Sequence, residues 1–402
     1  MALKIIVIII VLLIILFNIL AWVFMWQTFR PLKIDDNTAI NHYDAYKDRY
    51  SRLNIQCMCQ GNNLKGYLFK SGNKSASYSD YPVYSDIKEF LGDTVDCKGL
   101  ILFIHGIWSG PDEYMQTLLP LVDRGYVVMA FNATSYNGSE GKWARGLATS
   151  MLNADAELTF IENHDEFKGM KVFLLGHSWG AYAVTSVLRF RHNVQAVVSL
   201  SGFNKPMDIT RAVGKTAVGP LSGIICSFIG IYQKIFFGKY YNCSAVDGIN
   251  QKVPIESEIE NTGNTVSGGS ENTSNNVSDV SENTFNGRYV PVLVVHGIND
   301  AFIKFDETSI YSKKNEIENP DVLYLKLEEK GRSEHNSYFN SKAGSEYNNK
   351  INEYFSELAK KYKGDELIRE KKKYLVNVDR ELANEPNEWL IEKIDDFFML
   401  NQ

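Results

Sequence analysis

Apolar positions along the chain follow three patterns, and each predicts a different kind of element. The first is unbroken: the 22 residues from Ile5 to Trp26 are apolar except for Asn18, long enough to cross a bilayer as a helix. A cleaved signal peptide has a shorter apolar centre and a small-x-small cleavage site. This segment ends instead in the bulky run from Ala21 to Phe29, with Trp22 and Trp26 suited to a membrane interface. An uncleaved membrane anchor is expected over residues 1–30. Lys4 and the terminal amine on one side roughly balance Arg30 and Lys33 on the other. The expected orientation places a short amino-terminal tail inside and the large domain on the extracytoplasmic side.

The second pattern is alternation. After a polar, Asp- and Asn-rich stretch over residues 31–52, read as a tether, "NIQCMCQGNNLKGYLFK" carries two period-two runs around Gly61-Asn62-Asn63, the signature of a β-hairpin. The third pattern starts at Leu100, where short β-rich runs ("LILFIH", "YVVMAF", "KVFLL", "VQAVVSLSG") are separated by helical patterns near Tyr114–Arg124, Leu147–Asn163 and Ala181–Arg191. Such a series predicts βαβ crossovers and an α/β fold whose parallel sheet is covered on both faces.

The series stops at Gly202 and resumes with "RYVPVLVVHG" at Arg288. The insertion begins with an apolar helix, "LSGIICSFIGIYQKIFFG" from Leu221, short and interrupted by Gly223 and Gly230; it reads as a cover over the site or a contact with the bilayer rather than a second span. From Asn261 the sequence is nearly all Asn, Ser, Thr, Gly and acid, with too little apolar surface to offset ordering entropy, and a flexible loop is expected. Beyond it come a helix near Glu307–Ile317, a last strand "VLYLKLEE", a helix near Ser345–Lys361, and a Lys- and Glu-dense tail from Gly364 read as one or two surface helices. The expected organisation is an anchor (1–30), a tether (31–52), a core in two parts (53–203 and 288–362), a lid or cap insertion (204–287) and a charged helical extension (363–402).

Composition narrows the function classes. With 402 residues and 45% hydrophobic content the chain supports a substantial core, and neither disorder nor a disulfide scaffold is indicated. The net charge is −6 and no Lys/Arg cluster is interleaved with aromatics, which argues against a nucleic-acid partner. The five cysteines lack zinc-site spacing, and Cys57 and Cys59 read as ordinary buried thiols on one strand face.

The candidate chemistry centres on "KVFLLGHSWGAYAVTSVL". A strand ending in G-x-S-x-G and followed at once by a helix holds Ser178 in a strained turn, with Gly176 and Gly180 where a Cβ would collide with the neighbouring strand and helix. The helix points its amino terminus at the same spot, favouring negative charge there. A serine nucleophile needs a base, an orienting acid and an oxyanion hole. His105-Gly106 ends the strand from Leu100 and can present the Ile107 amide; the Trp179 amide is the natural second donor. Asp300, in the turn after "VVHGIN", is the preferred acid and Asp208 the reserve. Of seven histidines, His177 is locked in the turn, His105 and His296 end strands, His164 and His192 lie on polar helix ends, and His42 is in the tether. His335 alone follows both Ser178 and Asp300, giving the order Ser, Asp, His.

From about Ile55 to Tyr362, apart from the insertion, these residues resemble the α/β-hydrolase superfamily. Ser178, the His105-Gly106 loop, Asp300 and His335 match that family's nucleophile, oxyanion loop, acid and base, and "TSYNGSEG" from Thr134 looks like its glycine-rich loop after the fourth strand. The chain looks similar to the branch of bacterial membrane-anchored or secreted hydrolases grouped with serine aminopeptidases and lysophospholipases. The resemblance implies a mostly parallel eight-stranded sheet, a lid inserted after the sixth strand, and no cofactor. The expected activity is hydrolysis of a carboxylic ester, lipid-derived esters included, through an acyl-enzyme. Two alternatives are a serine peptidase or amidase using the same residues, with the acids from Glu256 to Glu260 as an amine clamp, and a non-catalytic membrane-tethered binding protein; the presence of all three triad candidates disfavours the latter.

Overall fold

The computed structural model describes residues 2–34, 43, 46–72, 84–92, 97–254, 287–375 and 385–402. In chain order its helices and strands are α1 (Ala2–Phe29), β1 (Tyr50–Cys59), β2 (Asn62–Ser71), α2 (Tyr84–Leu91), β3 (Gly99–Ile104), α3 (Met115–Asp123), β4 (Tyr126–Phe131), α4 (Ala148–Glu162), β5 (Val172–His177), α5 (Trp179–Ser186) and β6 (Ala196–Leu200). They continue with α6 (Pro206–Val218), α7 (Ser222–Phe237), α8 (Ala245–Ile249), β7 (Lys252–Pro254), β8 (Gly287–Tyr289), β9 (Val292–Gly297), β10 (Val322–Leu327), α9 (Lys342–Lys361), α10 (Gly364–Leu375) and α11 (Glu388–Leu400).

Eight strands form one sheet in the order β1-β2-β4-β3-β5-β6-β9-β10. The pairs β1/β2 and β2/β4 are antiparallel and the rest are parallel. The hairpin turns at Gln60 and Gly61, both at positive φ (49° and 77°), as a two-residue loop requires; this is one step earlier than the Gly61-Asn62-Asn63 expected. Both faces of the parallel part are covered, which explains its unbroken apolar runs. Successive residues point to opposite faces. Leu100, Leu102 and Ile104 join the core under α4 and α5, while Ile101 and Phe103 join the core under α3 and α11.

Two elements differ from expectation. No α-helix forms at Glu307–Ile317; turns lead into a 3₁₀ segment, Tyr311–Glu316. Local polar bonds take the backbone elsewhere: Ser309 Oγ accepts from the Ser312 amide at 2.9 Å, and the Ile310 amide donates across to the Gly202 carbonyl at 2.9 Å. The end of the charged tail is no surface helix either. In α11, Leu390, Ile391, Ile394, Phe397 and Phe398 form one buried stripe over β4, β5 and α3, and Asp395 fixes the outer face by pairing with Lys98 at 2.9 Å.

The insertion after β6 folds as α6, α7 and α8, ending in the two-stranded β7/β8 ribbon; the Asn/Ser-rich stretch and Glu256 to Glu260 lie outside the described residues. The α7 helix has 16 residues, about 24 Å at 1.5 Å each, shorter than a bilayer core. It packs against α1. The 28-residue α1 is long and apolar enough to cross a membrane. The tether expectation changes at its start: Leu32 is bound to the loop after β4, accepting from Asn137 at 2.7 Å and donating to the Ser135 carbonyl at 3.3 Å.

Candidate active site

The β5–α5 junction is built around its glycines. A Cβ on Gly176 would overlap the Gly180 carbonyl, and one on Gly180 would overlap the Ile104 carbonyl. Strand and helix therefore approach closely, and Ser178 between them takes φ 56°, ψ −111°, a conformation that L-residues rarely adopt. Its amide is tied to the Leu200 carbonyl on β6 at 2.8 Å.

The structure brings Ser178, His335 and Asp300 together from three elements at the carboxyl ends of β5, β9 and β10. His335 Nε2 lies 2.9 Å from Ser178 Oγ, and His335 Nδ1 lies 2.7 Å from Asp300 Oδ2. A carboxylate only accepts, so Nδ1 carries the ring proton and Nε2 is free to accept from the serine hydroxyl. Asp300 is fully engaged: Oδ1 accepts from the amides of Phe302 (2.9 Å) and Ile303 (2.7 Å), and Oδ2 also accepts from Ser201 Oγ at 2.9 Å. Burial alone would raise this carboxyl; hydrogen bonding from His296 and His335 overcomes it and holds Asp300 well below the usual carboxylate range. Asp208, the reserve acid, is half-exposed on α6 beside Arg211 (3.3 Å) and takes no part.

A second line of bonds supports His335 from behind, and sequence reasoning passed over it. The Gly106 amide donates to Tyr114 Oη at 3.1 Å, leaving that hydroxyl to donate to His177 Nδ1 at 2.8 Å. His177 Nε2 then donates to the His335 backbone carbonyl at 3.0 Å. Burial and the neighbouring His335 push His177 down to about 3, so it stays neutral and holds this tautomer. The one available signal was the histidine inside G-H-S-W-G, directly before Ser178.

Of the two expected amide donors, Trp179 follows Ser178 in the chain and Ile107 lines the same two cavities as Ser178. Trp179 opens α5, so its amide has no carbonyl one turn earlier to bond. Ile107 follows the β3 terminus, whose turn is set by His105: its Nδ1 donates to the Gly106 carbonyl (2.7 Å) and its Nε2 accepts from the Ala133 amide (3.0 Å). Burial pushes His105 down to about 4, so it acts as a neutral brace.

Two chambers meet at Ser178. One, about 140 Å³, is apolar and runs between α1, α6 and α7; Ile107, Trp179, Phe203, Met207 and Ile229 are among its walls. The other, about 650 Å³, is of mixed polarity, with Ser109, Glu113, Gln116, Asn336 and Asn340 as well as Trp108, Phe302 and Phe339 around His335. Among the described residues nothing donates to the buried Gln116 Oε1, and no cluster of His, Cys, Asp and Glu has the makings of a metal site.

Residues 99–222 match the family described as "alpha/beta hydrolase fold". The eight-stranded, mostly parallel sheet and the strand-turn-helix at Ser178 agree with that match, and the chain has the α/β-hydrolase fold. Solved structures of similar trace include an esterase of Pyrococcus furiosus (16% identity, 82% of this chain and 97% of that one, TM-score 0.48). Others are the Est1E protein of Butyrivibrio proteoclasticus with ferulic acid bound (13%, 70% and 90%, TM-score 0.42) and an acylaminoacyl peptidase of Pyrococcus horikoshii (15%, 75% and 40%, TM-score 0.42). No curated protein matches the sequence.

Proposed function

We propose that the protein is a membrane-anchored serine hydrolase that cleaves a carboxylic ester joining an apolar acyl group to a polar alcohol. The observation that carries the reading is the continuous chain Ser178 Oγ, His335, Asp300, at 2.9 and 2.7 Å, opening onto one apolar chamber and one of mixed polarity.

In this mechanism His335 Nε2 takes the proton of Ser178 Oγ as the oxygen attacks the acyl carbon. The imidazolium that forms is stabilised by Asp300, which is already ionised and hydrogen-bonded and need not reorganise. The amides of Ile107 and Trp179, with the amino terminus of α5, receive the negative charge developing on the carbonyl oxygen. His335 next protonates the departing alcohol oxygen, leaving an acyl-Ser178 ester. Water then enters, gives its proton to His335 and attacks the acyl carbon; collapse returns the proton to Ser178 and releases the acid.

The apolar chamber matches the size of cavities that take a benzene ring, which suits a short acyl chain or the proximal part of a longer one. On the other side, the open Gln116 Oε1 acceptor suits a hydroxyl-bearing alcohol. For the anchor, the packing of Ala21, Met25 and Phe29 into the domain supports a helix retained in the working protein. Purified full-length protein should hydrolyse short aryl esters, and Ser178→Ala should lower turnover by about 10⁴-fold or more while the fold is kept. Equal turnover by the variant would exclude the reading. Activity on aminoacyl amides in place of esters would favour the peptidase alternative.

A further inference from the structure

The walls of the apolar chamber include four residues of the amino-terminal helix: Phe24, Met25, Thr28 and Phe29. From Leu3 to Leu20 most large side chains of α1 are about half exposed, as a lipid-facing helix would be, yet Ala21 and Met25 are fully buried and Phe29 nearly so. Their spacing of four puts them on one helix face. Ala21 and Met25 pack with Met207, Ile225 and Ile229 of α6 and α7 into a small core of their own, and Phe29 joins the main core. The docking is also polar and directional. Tyr232 Oη donates to Asn18 Oδ1 at 2.7 Å, the Ala144 amide donates to the Phe29 carbonyl at 2.9 Å, and the Trp108 indole donates to the Thr28 carbonyl at 2.8 Å. Trp108 directly follows Ile107, so this last bond joins the helix to the loop beside Ser178.

We propose that α1 is more than an anchor: its last two turns are the acyl-selecting wall of the active site, with Met25 the principal specificity-determining residue. A thioether side chain that is wholly buried and lines the cavity sets its depth, and it does so without touching the triad. An acyl chain bound to Ser178 runs along α1 toward the segment of that helix suited to lipid, so the membrane helix and the substrate chain lie side by side. The inference rests on the ester-hydrolase reading above and adds to it which part of the chain measures the acyl group.

The test uses full-length protein in detergent micelles and p-nitrophenyl esters from acetate to decanoate. Met25→Trp fills the chamber: kcat/KM for octanoate and decanoate should fall roughly tenfold or more relative to acetate, which reports an intact triad. Met25→Ala deepens it and should raise the decanoate to acetate ratio several-fold. Leu13→Trp, on the exposed part of the same helix, should leave the profile unchanged. Equal loss on all esters in Met25→Trp with no change of ratio in Met25→Ala overturns the role of α1 alone. A wild-type protein that hydrolyses none of the esters overturns the underlying reading as well, and the two failures are thereby told apart.

Discussion

His177 Nε2 and the His335 carbonyl oxygen are 3.0 Å apart, so the residue beside Ser178 holds the backbone of His335. The far side of the His177 ring is fixed in turn by Tyr114. Replacement by leucine removes this support and leaves the buried Tyr114 hydroxyl and His335 carbonyl without their partner. His177→Leu is expected to lower kcat about 10- to 100-fold with KM within about threefold, because His335 is mispositioned while the chambers persist. Tyr114→Phe should give a smaller loss of the same kind. Steady-state kinetics on an aryl ester separates this from a loss of substrate binding, in which KM would carry the change.

The glycines at the β5–α5 turn are required by space. Gly180→Ala places a methyl group against the Ile104 carbonyl, and backbone on both sides leaves no flexible side chain to yield. A cost of at least ~2 kcal/mol is expected, seen as a lower Tm together with lost activity. Gly223→Ala on α7, where an added Cβ meets nothing within 4 Å, is the matched control and should leave both measurements unchanged or slightly raise Tm.

Away from the site, Glu157 on α4 is buried near Cys57 and Cys59, and among the described residues its Oε2 has no hydrogen-bond partner. Burial pushes its carboxyl up to about 8, against about 4.3 in an unfolded chain. Between those values the native protein keeps a proton that the unfolded chain has released. Stability therefore falls as pH rises through that window, by up to about 1.4 kcal/mol per pH unit. Glu157→Gln removes the titration at nearly constant shape. Its Tm should stay close to wild type near pH 5 and exceed it near pH 8. The His192 group, raised to about 9 against burial by bonds to Asp155 and Glu162, also loses its contribution toward alkaline pH, but it is common to both proteins and cancels. Tm curves that run parallel from pH 5 to pH 8 would contradict the assignment of this group.

Much of the central sheet and the three facing side chains were legible because each rests on short-range rules. Unbroken apolar runs such as Leu100–Ile104 are the mark of strands buried on both faces, and G-x-S-x-G between strand and helix constrains Ser178 sterically. The order of Asp300 and His335 followed from elimination among seven histidines. What escaped notice depends on long-range packing. In α1 the docking stripe Ala21, Met25, Phe29 is invisible because every surrounding residue is apolar too, so no periodic contrast marks it. In α11 the stripe was visible as helical spacing, but the many charges of the tail made it look like a surface helix. The Tyr114–His177–His335 line joins residues 63 and 158 positions apart, and no local pattern encodes such a contact. At Glu307–Ile317 helical composition lost to serine hydroxyls and a bond to Gly202.

The central claim is that Ser178 is an activated nucleophile, and covalent labelling tests it most directly. Full-length protein treated with a fluorophosphonate probe, digested and mapped by mass spectrometry should carry one stoichiometric adduct, on the peptide containing Ser178. Labelling should be absent in Ser178→Ala and slowed at least ~100-fold in His335→Ala and Asp300→Asn. A folded protein that takes up no probe, or an adduct on another residue that persists in Ser178→Ala, would contradict the account.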